Sequence, residues 1–243
     1  MINLIIDQGN TSAKIALYEQ DAEVYATETK DDLFAVLTLL LGKYSINQAI
    51  CSSVADENTG IDTFLNRYIK KTIVLNRNTP LPVRLLYKTP ETLGYDRLAG
   101  VVGANFLQPD TPCLVIDAGT AITYDFVDAE GNYFGGNISP GLQMRFNALN
   151  TYTARLPLVK KEGDLPYLGV STETAIRSGV ILGLVAEIDG YISGLKEKYP
   201  GLFVFLTGGD TFFLVEKLKN VIFADTKLLI KGLNRILNYN ADL

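Results

Sequence analysis

Short apolar runs alternate with amphipathic segments along most of the chain, a pattern typical of α/β proteins. Apolar runs at 2–6 and 13–17 flank the polar stretch Asp7-Gln-Gly-Asn-Thr11, which predicts two strands joined by a tight turn. Further along, the pattern predicts helices over 31–43, over 61–70 and from about 89–92 to 106, and strands over 48–52 and 72–75. The N-terminal half is therefore expected to fold as a sheet with helices packed on it.

The segment Gln108-Pro-Asp-Thr-Pro112 is the clearest break in this pattern, and it predicts a domain boundary that separates 1–110 from 111–243. After the break the chain repeats its beginning, with an apolar strand, Asp117, a glycine turn ending at Thr120, and a second strand. The repeat predicts an internal duplication, although strand, glycine turn and strand also follow one another by chance. The remaining segments predict strands over 133–138, 203–206 and 221–224, and helices after 140, over 172–198, over 211–219 and from about 228.

Composition limits the chemistry that such a fold can carry. The 243 residues include no His, which excludes Ser/His/Asp triads, Cys/His pairs and His-ligated zinc sites. Acid–base chemistry must therefore use Asp, Glu, Lys, Tyr or Cys. The 27 acidic and 22 basic residues give a net charge of −5, so the chain offers no global basic field for nucleic acid or an anionic membrane.

The cysteines and the N-terminal residues indicate the compartment. Cys51 and Cys113 lie inside apolar runs, which is typical of buried thiols in a reducing environment. The first residues lack the basic region and cleavage site of a signal peptide, and no apolar run reaches the ~18–20 residues of a membrane span. We therefore expect a soluble cytoplasmic protein.

The first glycine turn could carry chemistry. Asp7 ends a strand and is followed by Gly9 and by two short hydrogen-bonding side chains, and backbone N–H groups in such a turn can hold phosphate oxygens. A carboxylate beside bound phosphate can hold Mg²⁺, usually through water, and Lys14 adds a cation one strand step later. The alternative is a hairpin without ligand, because Asp, Asn and Gly favour turns for their own reasons.

Two further turns extend this pattern. Asp117-Ala-Gly-Thr120 repeats the first turn, and Thr207-Gly-Gly-Asp210 lies between a strand and a helix, where two glycines would allow a flat ring to approach the backbone. Each turn alone is also compatible with a plain connection. In this order the three turns resemble those of the superfamily of acetate and sugar kinases, chaperone ATPases and actin. That resemblance implies a duplicated actin-like (ribonuclease H-like) α/β fold, with two α/β domains around a nucleotide cleft.

The other motifs are similar to those of the type III pantothenate kinases. They are Tyr87-Lys-Thr-Pro-Glu-Thr-Leu-Gly-Tyr-Asp-Arg97, Gly135-Gly-Asn-Ile-Ser-Pro-Gly141, Thr153-Ala-Arg-Leu-Pro157 and Thr172-Glu-Thr-Ala-Ile-Arg-Ser-Gly179. With the first two glycine turns, the resemblance covers the chain nearly end to end. The one departure noted is Gln8, where the family often has an apolar residue.

The resemblance implies that ATP phosphorylates pantothenate to 4'-phosphopantothenate, the first step of coenzyme A biosynthesis. Asp96 would accept the proton of the substrate hydroxyl, and Asp117 would hold a monovalent cation, K⁺ or NH₄⁺. ATP would be used with Mg²⁺, and the protein would be a homodimer. The residues implied for pantothenate are Tyr87, Gly94, Tyr95, Asp96, Arg97 and Thr172, and those implied for ATP are Asp7, Gln8, Gly9, Asn10, Thr11, Ser12, Ala13, Lys14 and Thr120.

Two alternatives stay open at this point. The same ATPase core could serve another small-alcohol kinase or a phosphatase, because fold does not fix function. A regulatory relative without activity would be expected to have lost its aspartates, yet Asp7, Asp96 and Asp117 are all present. For the dimer, the apolar stripe on the predicted helix 172–198 is a candidate interface, although such a stripe can equally face the helix's own sheet.

Overall fold

The computed structural model describes residues 1–9, 12–30, 32–53 and 60–241. The chain forms two compact units, the first made of 1–109, 131–133 and 227–243, and the second of 110–130 and 134–226. The first unit thus takes its final segment from the C-terminus, after the second unit has been completed along the chain. The predicted division into 1–110 and 111–243 stays a prediction.

The first unit is built on a five-stranded sheet in the order β3-β2-β1-β4-β5. β1 runs antiparallel to β2 and parallel to β4, and β4 and β5 are also parallel. A short parallel pair links β6 to residues 132 and 133. The elements are β1 Ile2–Gln8, β2 Ala13–Glu19, β3 Ala22–Thr29, α1 Leu33–Lys43, β4 Ile46–Ser53, α2 Ile61–Tyr68, β5 Lys71–Val74, β6 Arg84–Leu85, α3 Tyr95–Leu107 and α7 Leu228–Ala241.

Helices cover both faces of this sheet because successive strand residues point to opposite sides. Leu4 and Ile6 of β1 pack with α1 and α2, whereas Ile5 between them packs with α3 and α7. All three side chains are completely buried. The strands are therefore apolar on both faces, which explains why their sequences read as continuous apolar runs.

α3 and α7 approach closely at two glycines. A Cβ atom on Gly232 would overlap the carbonyl group of Ala99, and one on Gly103 would lie 2.5 Å from the carbonyl oxygen of Leu228. A glycine inside a helix costs about 1 kcal/mol relative to alanine, a cost that this close packing offsets. α3 is thus held in place along its middle turns by its close contact with α7.

Buried amides hold α7 on the sheet. The Asn3 side chain donates to Asn234 Oδ1 at 2.7 Å and to Asn238 Oδ1 at 2.8 Å, and Gln48 donates to Asn3 at 2.9 Å. Buried polar groups need such partners, since an unmade hydrogen bond would cost its full desolvation energy. The network therefore sets the register of α7 against β1 and β4.

The second unit repeats the strand order of the first. Its strands lie in the order β9-β8-β7-β10-β11, with β7 antiparallel to β8 and parallel to β10. Strand for strand, this is the order of β3 to β5 in the first unit, so the predicted duplication is present in the fold. The elements are β7 Cys113–Ala118, β8 Ala121–Val127, β9 Asn132–Pro140, α4 Leu142–Thr151, α5 Thr172–Lys198, β10 Phe203–Thr207, α6 Thr211–Val215 and β11 Phe223–Ala224.

The apolar stripe of α5 faces the core of its own unit. Ile176, Val180, Leu184 and Ile188 belong to the cluster built on β7, β8 and β10, so the sheet-facing alternative is correct for them. By length and mean hydropathy α5 alone among the described helices could cross a membrane, a test that core helices of soluble proteins also pass.

Local details differ from the sequence-based expectations. The segment 90–92 forms a single 3-10 turn, and α3 begins only at Tyr95, because Leu93 and Gly94 are extended. The predicted helix over 211–219 ends at Val215. The first change places Gly94 before α3 and not inside the predicted helix, whereas Tyr95, Asp96 and Arg97 stay in the helix.

Candidate active site

The first glycine turn joins the ends of β1 and β2. Asp7 lies opposite Lys14 in the antiparallel pair and beside Ser52 of the parallel strand β4. The Gly9 N–H donates to the carbonyl of Ser12 at 3.0 Å, which closes the turn. The predicted residues Asn10 and Thr11 lie outside the described residues.

The other predicted residues of this turn have structural partners. Gln8 accepts a hydrogen bond from Ser53 at 3.3 Å, and Ser12 donates to Glu28 of β3 at 2.5 Å. Ala13 is buried. Among the described residues of the turn, Asp7 and Lys14 are therefore the candidates for side-chain chemistry, whereas the side chains of Gln8, Ser12 and Ala13 serve the local structure.

Asp96 lies in the first turn of α3, where the helix dipole favours a negative charge. Its Oδ1 accepts the N–H of Arg97 at 2.8 Å, which fixes the plane of the half-buried carboxylate. Gly94 precedes the helix, and a Cβ there would overlap that same oxygen. A larger residue at 94 would therefore displace the Asp96 carboxylate from this position.

Asp7 and Asp96, both in the first unit, interact electrostatically. Burial raises the pKa of Asp7 to about 6, Lys14 opposes this increase, and Asp96 adds to it. Two carboxylates that disfavour each other's charge are suited to binding a cation, because a cation removes the repulsion. The structure therefore brings Asp96 of one predicted motif into one electrostatic site with Asp7 and Lys14 of another.

On α3, the side chains of Arg97 and Tyr95 have different neighbours from that of Asp96. Arg97 is buried, and its guanidinium lies 5.7 Å from the ring centroid of Tyr87, which stacks on Tyr133 at 6.2 Å. The Tyr95 side chain packs against the core cluster of the first unit. The predicted pair Tyr87 and Arg97 is thus in contact, whereas Tyr95 contributes to packing.

In the second unit, Asp117 ends β7 and lies in register with Thr207 of β10. Gly208 follows with φ +94°, and a Cβ there would overlap the carboxylate of Asp117. The Asp210 N–H donates to the carbonyl of Ala118 at 3.0 Å. The second and third glycine turns therefore form one oxygen-lined cluster, and only glycine fits at 208.

Thr120 lies against the end of β9. The Gly141 N–H donates to the Thr120 carbonyl at 3.1 Å, and a Cβ on Gly141 would overlap the carbonyl oxygens of both Gly119 and Thr120. The motif 135–141 thus supports the turn at 117–120. Sequence similarity identified both segments but gave no reason for their contact.

Thr172 is the exposed first residue of α5. Ser171 and Thr174 exchange hydrogen bonds in a capping box that fixes this end of the helix. Arg177, one turn on, is buried and donates to the carbonyls of Lys160 and Asp164, which holds the preceding loop on α5. Neither the capping box nor the Arg177 contacts were predicted from the sequence.

Among residues 1–9, 12–30, 32–53 and 60–241, no group of three or more Asp, Glu, Cys or His side chains forms a metal cage. Mg²⁺ in phosphoryl-transfer sites needs only one or two carboxylates together with phosphates and water. Asp7, with its raised pKa, fits that requirement. The carboxylate of Asp117 among the carbonyls of its turn fits a cation that prefers oxygen.

Known proteins similar to this chain share its full length. A model of the family "Type III pantothenate kinase" matches residues 3–194. A type III pantothenate kinase from Bacteroides fragilis is 54% identical over 98% of both chains, and one from Phocaeicola vulgatus is 51% identical over 100% of both. A third, from Porphyromonas gingivalis, is 44% identical over 98% of both.

Solved structures show the same fold at low identity. A conserved protein from Campylobacter jejuni, assigned by its name to the Baf family of transcriptional activators, has a TM-score of 0.65 at 20% identity, with 99% of this chain and 100% of that chain covered. A hexokinase of the ROK family from Thermus thermophilus has a TM-score of 0.51 at 12% identity, with 99% and 100% covered. The predicted duplicated actin-like fold is confirmed.

Proposed function

Because the chain belongs to the type III pantothenate kinase family, it uses ATP to phosphorylate pantothenate in coenzyme A biosynthesis, and we propose that Asp96 is its catalytic base. In phosphoryl transfer a positioned carboxylate accepts the proton of the attacking hydroxyl. Asp96 is half-buried, fixed by the Arg97 N–H and close enough to Asp7 to affect its pKa. That electrostatic contact with the first glycine turn is the observation that carries the proposal.

We propose that ATP phosphates bind at the first turn, over residues 7–14, and at Thr120. The Gly9 backbone and the Lys14 ammonium would contact phosphate oxygens, and Asp7 would hold Mg²⁺ through its water ligands. When bound, Mg²⁺ neutralises charge on the transferring phosphoryl group. At this end of the sheet, Asp7 would attract the cation and Lys14 would attract the phosphate anion.

We propose that Asp117 holds a monovalent cation, K⁺ or NH₄⁺. Its carboxylate lies beside the carbonyl-rich turn 117–120 and against Gly208, where a side chain would fill the space. A large monovalent cation prefers such oxygen ligands to nitrogen or sulfur. This role is specific to the second unit, whose turn lacks the lysine that follows Asp7 in the first.

We propose that pantothenate binds at Tyr87, Gly94, Tyr95, Asp96 and Arg97, with Thr172. Pantothenate is an anion with hydroxyl groups, and an arginine suits its carboxylate. The Tyr87 ring limits the freedom of the Arg97 side chain, so less entropy is lost when the anion binds. Tyr95 would contribute through its backbone, since its ring packs in the core.

We propose that the protein acts as a cytoplasmic homodimer through the outer face of α5. Gly179, Gly183, Ala186 and Gly190 line an open groove of about 910 Å³. A Cβ on any of these three glycines would meet nothing within 4 Å in its own chain, so the groove can receive a second helix. Thr172 at the start of the same helix would then reach pantothenate only in the dimer.

A phosphorylation assay tests this function. Pantothenate should be phosphorylated by ATP, whereas glycerol, acetate and hexoses, as control acceptors, should not be. A protein that prefers a control acceptor would favour the small-alcohol kinase alternative. Release of phosphate without an acceptor would favour a phosphatase.

A further inference from the structure

Glu187 is a charged residue in the middle of α5, flanked along the helix by buried apolar positions. Its carboxylate accepts hydrogen bonds from Tyr124 of β8 at 2.8 Å, Ser139 of β9 at 2.6 Å and Arg145 of α4 at 2.7 Å. Three elements of the second unit are therefore joined at one side chain. Ser139 lies in the family-like motif 135–141, but none of these residues is among those implied to bind ATP, pantothenate or a cation.

Arg145 extends this network to the backbone. The guanidinium that binds Glu187 also donates through Nε to the carbonyl of Pro140 at 2.8 Å, and through Nη2 to Ser139 Oγ at 3.0 Å. The planar fork of arginine makes this double contact possible, and a lysine could not reproduce it. The Glu187 carboxylate thereby determines where the end of β9 lies.

The end of β9 in turn supports the glycine turn at 117–120. Gly141 donates to the Thr120 carbonyl at 3.1 Å, and its missing Cβ allows the two backbones to touch. A continuous series of contacts thus runs from Glu187 through Arg145 and the 139–141 backbone to Thr120. In a reaction governed by positioning, a displacement of that turn would change phosphate binding.

Electrostatics agree with a paired, ionised Glu187. Burial alone would raise the pKa of Glu187, but the hydrogen bonds from Ser139, Arg145 and Tyr124 outweigh it and hold that pKa below its usual value. Both side chains of the ion pair are about a quarter exposed or less, at 26% for Glu187 and 21% for Arg145. The pair is thus largely protected from the solvent screening that weakens surface ion pairs.

We propose that Glu187 and Arg145 form a positioning pair that holds the 117–120 turn for ATP. This inference rests on the proposed role of that turn. It goes further by assigning a function to two residues that touch neither substrate. Pantothenate, bound through the first unit and Thr172, depends on the pair much less than ATP does.

The test is the ratio of the two Michaelis constants in Glu187→Gln, Arg145→Gln and the double variant. Each single variant should raise the KM for ATP about tenfold, since misplacement of a binding group by a fraction of an ångström carries a penalty of that order. The KM for pantothenate should stay within about twofold. The double variant should be no worse than the poorer single variant, because both break the same series of contacts.

Asp189→Asn is the matched control. This carboxylate lies on the same helix and accepts the N–H groups of Lys219 and Asn220, with no contact to the 139–141 segment. It should destabilise the protein without raising the KM for ATP. If Asp189→Asn raises the KM for ATP as much as Glu187→Gln does, the positioning role is wrong.

Arg145→Lys tests the positioning proposal even if the glutamine variants do not fold. It keeps the charge but loses the double contact, so it should raise the KM for ATP with little change in the melting temperature. An unchanged KM for ATP, or an equal rise in both constants, overturns the proposal. Thr120→Ala, measured in parallel, distinguishes the proposed binding role of Thr120 from the positioning role of the pair. If Thr120→Ala leaves the KM for ATP unchanged while Glu187→Gln raises it, the role of the Thr120 side chain is wrong and the positioning of the turn stands.

Discussion

Replacing Asp7 by asparagine should make the protein more stable at neutral pH while lowering its activity. Burial is the largest cause of the raised pKa of this carboxyl, and the charge of Asp96 adds to it. A group that is hard to ionise in the folded state destabilises the fold whenever the pH forces it to ionise. Asparagine has nearly the same shape and never carries that charge.

The size and the sign of this change in stability follow from the shift of the Asp7 pKa from 3.8 to about 6. Below 3.8 the carboxyl is neutral in both states and costs nothing. Between 3.8 and about 6 only the unfolded chain loses the proton, so the folded state becomes relatively less stable, and above about 6 the loss is complete. A shift of about two units corresponds to about 3 kcal/mol, which we lower to about 1–3 kcal/mol because the side chain is partly exposed.

Urea unfolding of wild type and Asp7→Asn in metal-free buffer measures this difference. At about pH 8 the variant should be more stable by about 1–3 kcal/mol, and at about pH 4 by less than about 1 kcal/mol. Asp21→Asn, in the exposed turn between β2 and β3, is the control, and like most surface substitutions it should change the stability by no more than about 0.5 kcal/mol. An equal gain at both pH values, or no gain at the higher one, would refute the reasoning.

Three further predictions concern the proposed roles. Asp96→Asn should lower kcat by about 10²–10⁴ with little change in melting temperature, and wild-type turnover would remove Asp96 from the mechanism. Asp117→Ala should abolish activation by K⁺ in dialysed enzyme, and equal wild-type rates in sodium and potassium buffers would contradict the cation role. Gly183→Glu should dissociate the dimer in light scattering and raise the KM for pantothenate more than that for ATP, whereas a fully active monomer would show a pocket complete within one chain.

The duplicated fold could be predicted because its signal is local. Strand, aspartate, glycine turn and strand are adjacent in sequence, and both occurrences lie at the centre of a sheet, at β1 and at β7. The electrostatic interaction between Asp7 and Asp96, in contrast, arises only because β1 and α3 fold into the same unit. No spacing in the sequence could have given it.

What the sequence could not predict are contacts between distant positions. Arg145 and Glu187 are 42 residues apart, on different helices, and each alone reads as an ordinary surface charge. The need for glycine at 103 and 232 likewise arises only when α3 and α7 pack against each other. Such pairs depend on tertiary geometry, which hydrophobic periodicity does not encode.

The position of α7 has a consequence for how the protein is made. α7 is synthesised after the whole of the second unit, yet it covers the face of the first sheet that carries Ile5 and packs on α3, whose first turn carries Asp96. Domains usually fold in the order of their synthesis. Here the second unit can complete its core while the first still exposes Ile5, Ile50 and Val102. Synthesis of α7 is therefore the event that completes the packing of the helix bearing the proposed base, and a nascent chain that stops short of residue 228 would leave an apolar face of the first unit exposed.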